Sequence, residues 1–303
     1  MLFCTLSAIV VAVTFGNRVH SSDKAKLTKE AHALNADYFA NGACMSLPPT
    51  KGNRHMTVFL DAGHGGVDPG GMGQTQSGAT VEESTVNLPI ELDTADQLRA
   101  DGYTVVVSRT EDTTVLRLGA ADVSGGVLTL LGTHDDTVAR DVCANDAHAS
   151  LLVGIYMDSS SYSSTAGSLT AYDLSRPFAT DNVRFAQLLQ SDVLAAMNAK
   201  GWQIPDDGVL SDATLGSSPV ADDPNAPLAQ ESLNYDHLLL LGPAEAGYFE
   251  NPSKMPGALI EPLYLSDPFE GSIAASTVGQ ETIASGITKA VRTYFDKPKV
   301  ATA

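Results

Sequence analysis

Short apolar segments with the length of buried strands alternate along this chain with segments of helical period, and this alternation limits the folds open to it. Strands are predicted at 56–62, 103–110, 150–158, 166–173, 237–243 and 257–265. Helices are predicted at 83–100, 137–147, 182–200 and 277–295. Because strands that alternate with helices build a largely parallel sheet, we predict a single α/β domain over residues 56–296, with a mostly parallel central sheet flanked by helices.

The N-terminal segment is apolar from Leu2 to Gly16 and has the character of the hydrophobic region of a secretory signal. It is short for a helix that spans a bilayer. A buried N-terminal helix and an uncleaved anchor are the alternatives. We expect a signal peptide over residues 1–22, a linker or N-terminal extension over 23–55 and a tail over 297–303. The protein is therefore expected to be secreted or to lie in the cell envelope.

The formal net charge of −18 argues against nucleic acid as a partner, because phosphate binding needs a basic surface. The glycine-rich stretch GHGGVDPGGMG (63–73) could suggest a phosphate cradle. It has neither the Lys of a P-loop nor the spacing of a dinucleotide fingerprint, so no nucleotide is expected. Residues 203–232 are rich in Asp, Pro, Ser and Gly and predict a long surface loop.

The chain has three cysteines, of which Cys4 would leave with a signal peptide. The remaining pair, Cys44 and Cys143, is compatible with a disulfide in an exported protein. Two free buried thiols are the alternative.

Several candidate functional residues lie near predicted strand ends, where sites in parallel sheets are found. His64 follows the strand VFLDA within a glycine-rich turn, and Asp158 ends the strand LLVGIYMD. Glu261 lies inside the apolar run ALIEPLYL, where a carboxylate is costly unless it is paired, metal-bound or protonated. Glu82 and Glu83 precede a helix, whose positive end favours carboxylates. A structural role in the core is the alternative for Glu261.

Five segments in one order resemble the zinc-dependent N-acetylmuramoyl-L-alanine amidases, which cleave peptidoglycan. They are FLDAGHGGVDPGG, VEESTVNL, YTVVVSRTEDTT, CANDAHASLLVGIYMDSS and PGALIEPLYLSDPFE, and the resemblance extends from about Thr57 to Phe295. It implies peptidoglycan as the substrate and Zn²⁺ as the cofactor. We also expect a monomer.

The resemblance also implies roles for individual residues. The His of the family's glycine-rich motif is a zinc ligand, which is His64 in this chain. The second ligand is a Glu that precedes an Asn-Leu pair by four residues, which selects Glu83 rather than Glu82. The catalytic Glu of the family's last strand motif corresponds to Glu261. In the family, zinc activates water and a Glu transfers the proton to the leaving amine.

The third ligand is where the chain departs from the family. The family has a His at the end of its third strand motif, and this chain has Tyr156 in GIYMDS. His134, His148 and His237 lie outside that motif. Tyr156 could bind zinc as a phenolate, or it could turn away and leave two ligands. The first hypothesis is therefore an amidase, active or impaired, and the second is a pseudoenzyme that acts as a wall-binding or regulatory module.

Overall fold

A computed structural model describes residues 31–215 and 226–296, so the predicted signal peptide and tail lie outside the described residues. The strands are β1 (His32–Ala33), β2 (Ala43–Leu47), β3 (Thr57–Ala62), β4 (Met72–Gln74), β5 (Thr80–Glu82), β6 (Thr104–Arg109), β7 (Val123–Ser124), β8 (Val127–Leu128), β9 (Leu151–Ile155), β10 (Ser168–Tyr172), β11 (Asp206–Ser211) and β12 (Gly257–Glu261). The helices are α1 (Glu83–Ala100), α2 (Leu130–Asp146), α3 (Ala179–Asn198), α4 (Ala229–Asn234), α5 (Pro268–Ala274) and α6 (Thr277–Asp296), with a 3₁₀ turn at Asp212–Thr214.

An eight-stranded sheet forms the centre of the domain, in the order β1-β2-β6-β3-β9-β12-β10-β11. The four neighbours β6, β3, β9 and β12 are parallel, and β11 is parallel to β10. The pairs β1–β2, β2–β6 and β10–β12 are antiparallel. The predicted α/β domain with a mostly parallel central sheet is confirmed.

Helices cover both faces of this sheet, since alternate side chains of each central strand point to opposite sides. On one face, α1, α3 and α6 pack on strand residues such as Val58, Leu60 and Ile260. On the other face, α2 packs on residues such as Phe59 and Leu152. No helix among the described residues is both long and apolar enough to cross a membrane.

Three predicted segments have a different structure from the one that the sequence pattern indicates. The segment predicted as a linker contains β2, which pairs with β6 and extends the main sheet. The segment predicted as a surface loop, 203–232, contains the half-exposed edge strand β11. Its polar composition is typical of a loop, so the sequence pattern does not indicate a strand. The predicted strand 237–243 is irregular, and its leucines Leu239, Leu240 and Leu241 are buried by packing alone. A short apolar run does not specify strand pairing by itself.

Cys44 and Cys143 form a disulfide, with a Cα–Cα distance of 5.7 Å. The bond joins β2 to α2 and closes a loop between residues 99 positions apart. It thereby ties the N-terminal extension to the helix that packs on the same face of the sheet.

Replacing both cysteines by Ser is expected to lower the free energy of unfolding by about 2–5 kcal/mol, because the bond restricts a long loop in the unfolded chain. Urea denaturation with and without reductant measures the effect. Reductant should destabilise the natural chain and leave the Cys44→Ser/Cys143→Ser variant unchanged. Equal unfolding midpoints for the natural chain in both conditions would contradict the prediction.

Candidate active site

The predicted site residues lie at the edge of the sheet where the parallel strands β3, β9 and β12 end. His64 follows the last residue of β3 by two positions, Tyr156 follows β9 directly, and Glu261 is the last residue of β12. Glu83 is the first residue of α1. Parallel neighbours present their carboxyl ends at one edge, so residues distant in sequence meet there.

The loop that carries His64 has an unusual backbone. His64 has φ 61° and is followed by Gly65 and Gly66, with φ 135° and 64°. Two buried arginines bind the carbonyl groups of this turn. Arg109 donates to the carbonyls of Ala62 and Gly63, and Arg140 donates to those of Ala62 and His64. These bonds hold the left-handed turn in place and direct the imidazole inward.

The imidazole of His64 lies between two carboxylates. Its Nδ1 is 2.8 Å from Oδ2 of Asp68, and its Nε2 is 3.2 Å from Oε2 of Glu83. Burial lowers the pKa of His64, but the two carboxylates outweigh burial and raise this pKa to about 10. The site therefore attracts positive charge to the position between Glu83 and Asp68.

Glu83 is buried and its carboxylate is held on both oxygens. Oε1 accepts hydrogen bonds from the backbone N–H of Met157 at 3.0 Å and from the amide of Asn87 at 3.2 Å. Oε2 accepts from the N–H of Gly71 at 2.8 Å, and the same oxygen faces His64. A side chain at Gly70 would overlap the His64 ring and Glu83, so the glycine there leaves room for these two side chains to meet.

Tyr156 packs against His64, but its hydroxyl points elsewhere. The two rings contact edge to face, with centroids 5.5 Å apart. The hydroxyl donates to Oδ2 of Asp61 at 3.0 Å. Burial and the Asp61 charge raise the pKa of Tyr156 well above its usual value of 10. The phenol is therefore neutral and bound to Asp61, which corresponds to the second of the two outcomes considered for this residue.

Asp61 belongs to a fully buried ion pair beneath the site. Arg140 binds Oδ1 of Asp61 at 2.6 Å and Oδ2 of Asp136 at 2.9 Å. The other oxygen of Asp136 accepts the backbone N–H groups of Val115 and Leu116. The pair joins β3 to α2 and to the loop that follows β6.

Glu261 lies half-buried at the end of β12, with its carboxyl group hydrogen-bonded to that of Asp158. Burial raises the pKa of Glu261 to about 8, and the charges of Asp158 and Glu83 add to the effect, while His64 opposes it. A carboxylate of raised pKa beside the His64–Glu83 pair is suited to accept a proton, and such groups are concentrated at functional sites.

The model of the N-acetylmuramoyl-L-alanine amidase family, Amidase_3, matches residues 58–293. The chain belongs to this family. The matched region contains every residue of the site and the whole sheet from β3 to β12. The family resemblance read from the sequence is thus confirmed.

A similar relative is the N-acetylmuramoyl-L-alanine amidase AmiC of Neisseria meningitidis, which is 28% identical over 255 residues. The match covers 81% of this chain and 54% of AmiC, so the chain spans about half the length of that relative.

Two solved structures share the fold. The CwlD amidase of Clostridioides difficile, in complex with the GerS lipoprotein, has a TM-score of 0.57 and 20% identity, with 80% of this chain and 98% of that chain covered. An N-acetylmuramoyl-L-alanine amidase of Clostridium difficile 630 has a TM-score of 0.53 and 24% identity, with 80% and 97% covered.

The residues present fit a zinc ion in part. Ligand atoms around a tetrahedral zinc lie roughly 3.3 Å apart, and the 3.2 Å between His64 Nε2 and Glu83 Oε2 agrees with this. Among the described residues, no third His, Cys, Asp or Glu joins these two in a group with ligand atoms within 4.8 Å. The three protein ligands of a catalytic zinc site are therefore not assembled.

The other histidines do not replace Tyr156. His134 binds Asp135 and the carbonyl of Tyr248, and His237 binds Asp173 and Asp212. His148 is exposed at the end of α2.

Sequence reasoning missed Asp68 and the Asp61–Arg140 pair. Asp68 orients His64, as carboxylates orient the histidine ligands of metals. Asp68 lies four residues after His64 in the stretch GHGGVDPG, and this spacing could have indicated that it contacts His64. Nothing in the sequence shows that Arg140 on α2 reaches Asp61 on β3, because the contact joins residues 79 positions apart.

Replacing Arg140 by Met is expected to lower the free energy of unfolding by about 3–5 kcal/mol, because it leaves Asp61 and Asp136 buried without their cation. Chemical denaturation measures the change. Adding Asp61→Asn to this variant should restore part of the loss, since one uncompensated charge is removed. A further decrease in the free energy of unfolding when Asp61→Asn is added would contradict this explanation.

Proposed function

We propose that this protein is a peptidoglycan hydrolase that cleaves the amide bond between N-acetylmuramic acid and the L-alanine of the stem peptide. The observation that carries the proposal is the pairing of His64 with Glu83 at 3.2 Å, beside the protonatable Glu261, at the carboxyl edge of the sheet. Family membership supports the same reaction.

In this proposal His64 and Glu83 hold the metal ion and Glu261 is the general base. A zinc ion at this position would supply the Lewis acid for amide hydrolysis. Glu261 takes the proton of the attacking water and transfers it to the leaving nitrogen. Asp68 holds the His64 ring so that Nε2 faces Glu83, and the N–H groups of Gly71 and Met157 hold the Glu83 carboxylate.

The substrate implies where the protein works. Peptidoglycan lies outside the cytoplasmic membrane, so we propose that the chain acts after export, in the cell envelope or the medium. Substrate binding then depends on the surface around His64 and Glu261. A monomeric state stays a prediction.

A second candidate function rests on one observation, the hydrogen bond from Tyr156 to Asp61. With the phenol turned to Asp61, only His64 and Glu83 would hold a zinc ion, which would bind more weakly than in a three-ligand site. The natural protein would then bind peptidoglycan and turn it over slowly, as a wall-binding or regulatory module.

Tyr156→His is expected to tighten zinc binding by at least ~10–100-fold, because its imidazole would be a third ligand beside His64 and Glu83. Tyr156→Phe is the matched control, since it loses the same hydrogen bond to Asp61 and adds no ligand. Zinc titration and release of stem peptides from purified peptidoglycan measure both variants and the natural chain.

Three results separate the possibilities. Zinc that His64→Gln removes, together with hydrolysis by the natural chain, both unchanged in Tyr156→Phe, supports the enzyme. Absence of both in the natural chain and in Tyr156→Phe, with recovery in Tyr156→His, supports the pseudoenzyme. Failure of Tyr156→His to hold zinc that His64→Gln removes contradicts the assignment of His64 and Glu83 to one metal site.

Glu261→Gln tests the general base separately from metal binding. Loss of a positioned general base is expected to lower kcat by about 10²–10⁴-fold in an active form of the protein, natural or Tyr156→His. Zinc affinity should stay within a few fold of its parent. An unchanged kcat would remove Glu261 from the reaction.

A further inference from the structure

A second group of side chains that can bind a metal lies away from the active site. It lies at the opposite end of the strands, where β12 begins. Leu169, at the start of β10, pairs with Glu261 at the end of β12, and the two strands are antiparallel. Asp173 follows the last residue of β10 and therefore lies at the far edge. Asp212 follows β11, which is parallel to β10, and His237 joins them from the segment before β12.

The ligand atoms of these three side chains converge on one point. Nδ1 of His237 is 3.0 Å from Oδ2 of Asp173 and 3.2 Å from Oδ2 of Asp212. All three atoms lie within 4.8 Å of one another. These separations match those of ligands held at 2.0–2.2 Å by a zinc ion, for which roughly 3.3 Å is expected.

The carboxylates are also oriented by bonds to their other oxygens. Oδ1 of Asp173 accepts the N–H and the hydroxyl of Ser175, and Oδ1 of Asp212 accepts the N–H of Ala213. Each Oδ2 faces His237 and also accepts one further hydrogen bond, from the hydroxyl of Ser175 to Asp173 and from the N–H of Leu238 to Asp212. Metal-binding carboxylates are held in this way by surrounding donors.

Two buried carboxylates lie close together at this position, which favours a bound cation. Asp173 and Asp212 are fully buried, unlike the exposed acidic clusters common on protein surfaces. The nearby Arg176 faces a third buried carboxylate, Asp141, as well as Asp173, and its guanidinium donates to backbone carbonyls. Asp212 forms no ion pair with an Arg or Lys among the described residues, so a metal ion held by the cluster would offset a buried charge.

We propose that Asp173, Asp212 and His237 bind a divalent transition metal, with Zn²⁺ as the best fit, in a structural site. The imidazole nitrogen excludes calcium and magnesium as preferred ions, since these take oxygen ligands. Partial exposure of His237, at 24%, leaves room for water as a further ligand. The ion joins the ends of β10 and β11 to the segment that leads into β12.

The test uses the full chain with the first site removed by His64→Gln/Glu83→Gln. After chelation and reloading with Zn²⁺, this variant is expected to hold one zinc per chain, measured by mass spectrometry of the metal. Adding His237→Gln, or separately Asp212→Asn, should weaken binding by at least ~10–100-fold. His32→Gln, which changes an exposed histidine on β1, is the matched control and should keep the zinc.

Cobalt substitution gives a second readout, since the visible absorption of bound Co²⁺ should disappear with His237→Gln. Circular dichroism establishes that each variant is folded. If the His64→Gln/Glu83→Gln variant does not fold, His237→Gln is made in the natural chain, where it should remove one bound zinc. Absence of zinc with the first site removed, or its retention in folded His237→Gln, would show an ion pair alone and overturn the proposal. Neither result bears on His64 and Glu83.

Discussion

The buried ion pair of Asp61 and Arg140 is the interaction on which the site depends. Arg140 reaches from α2 to the end of β3, where it binds Asp61 and the carbonyls of Ala62 and His64. The same guanidinium holds Asp136, whose other oxygen fixes the loop after β6. Since both members are shielded from water, each requires the other. The pair thereby sets the turn that presents His64 to Glu83.

This ion pair also accounts for the orientation of Tyr156 in the site. The oxygen of Asp61 that Arg140 does not bind accepts the hydroxyl of Tyr156. The bond stabilises the phenol in its neutral form and draws it away from the metal position. The side chain at the position of the family's third ligand is thus part of the hydrogen-bonded network beneath the site. The chain has the family fold, and position 156 contributes to the buried ion-pair network.

The central strands and long helices could be predicted because their apolar periods are strong and local. The strands β2 and β11 could not. β2 pairs with β6, which lies far along the chain, and β11 is a half-exposed edge strand with a weak apolar pattern. The leucines at 237–243 gave the opposite error, a strand predicted where none forms. A segment that is buried without strand pairing has the same apolar sequence as a buried strand. His64, Glu83 and Glu261 were predicted through motifs, and Asp68 lies within one of them. Arg140 acts through a contact with Asp61, 79 positions away, that no motif of the chain indicates.

The sequence by itself determined the α/β class, the family and the residue types available for chemistry, because these follow from local periodicity and short motifs. Only the tertiary structure decided how those residues are used. It placed the hydroxyl of Tyr156 on Asp61, closed the bond between Cys44 and Cys143, and brought Asp173, Asp212 and His237 together at the far edge. Each of these outcomes joins residues far apart in the chain, and parallel strand order, which sequence does not specify, sets which of them meet.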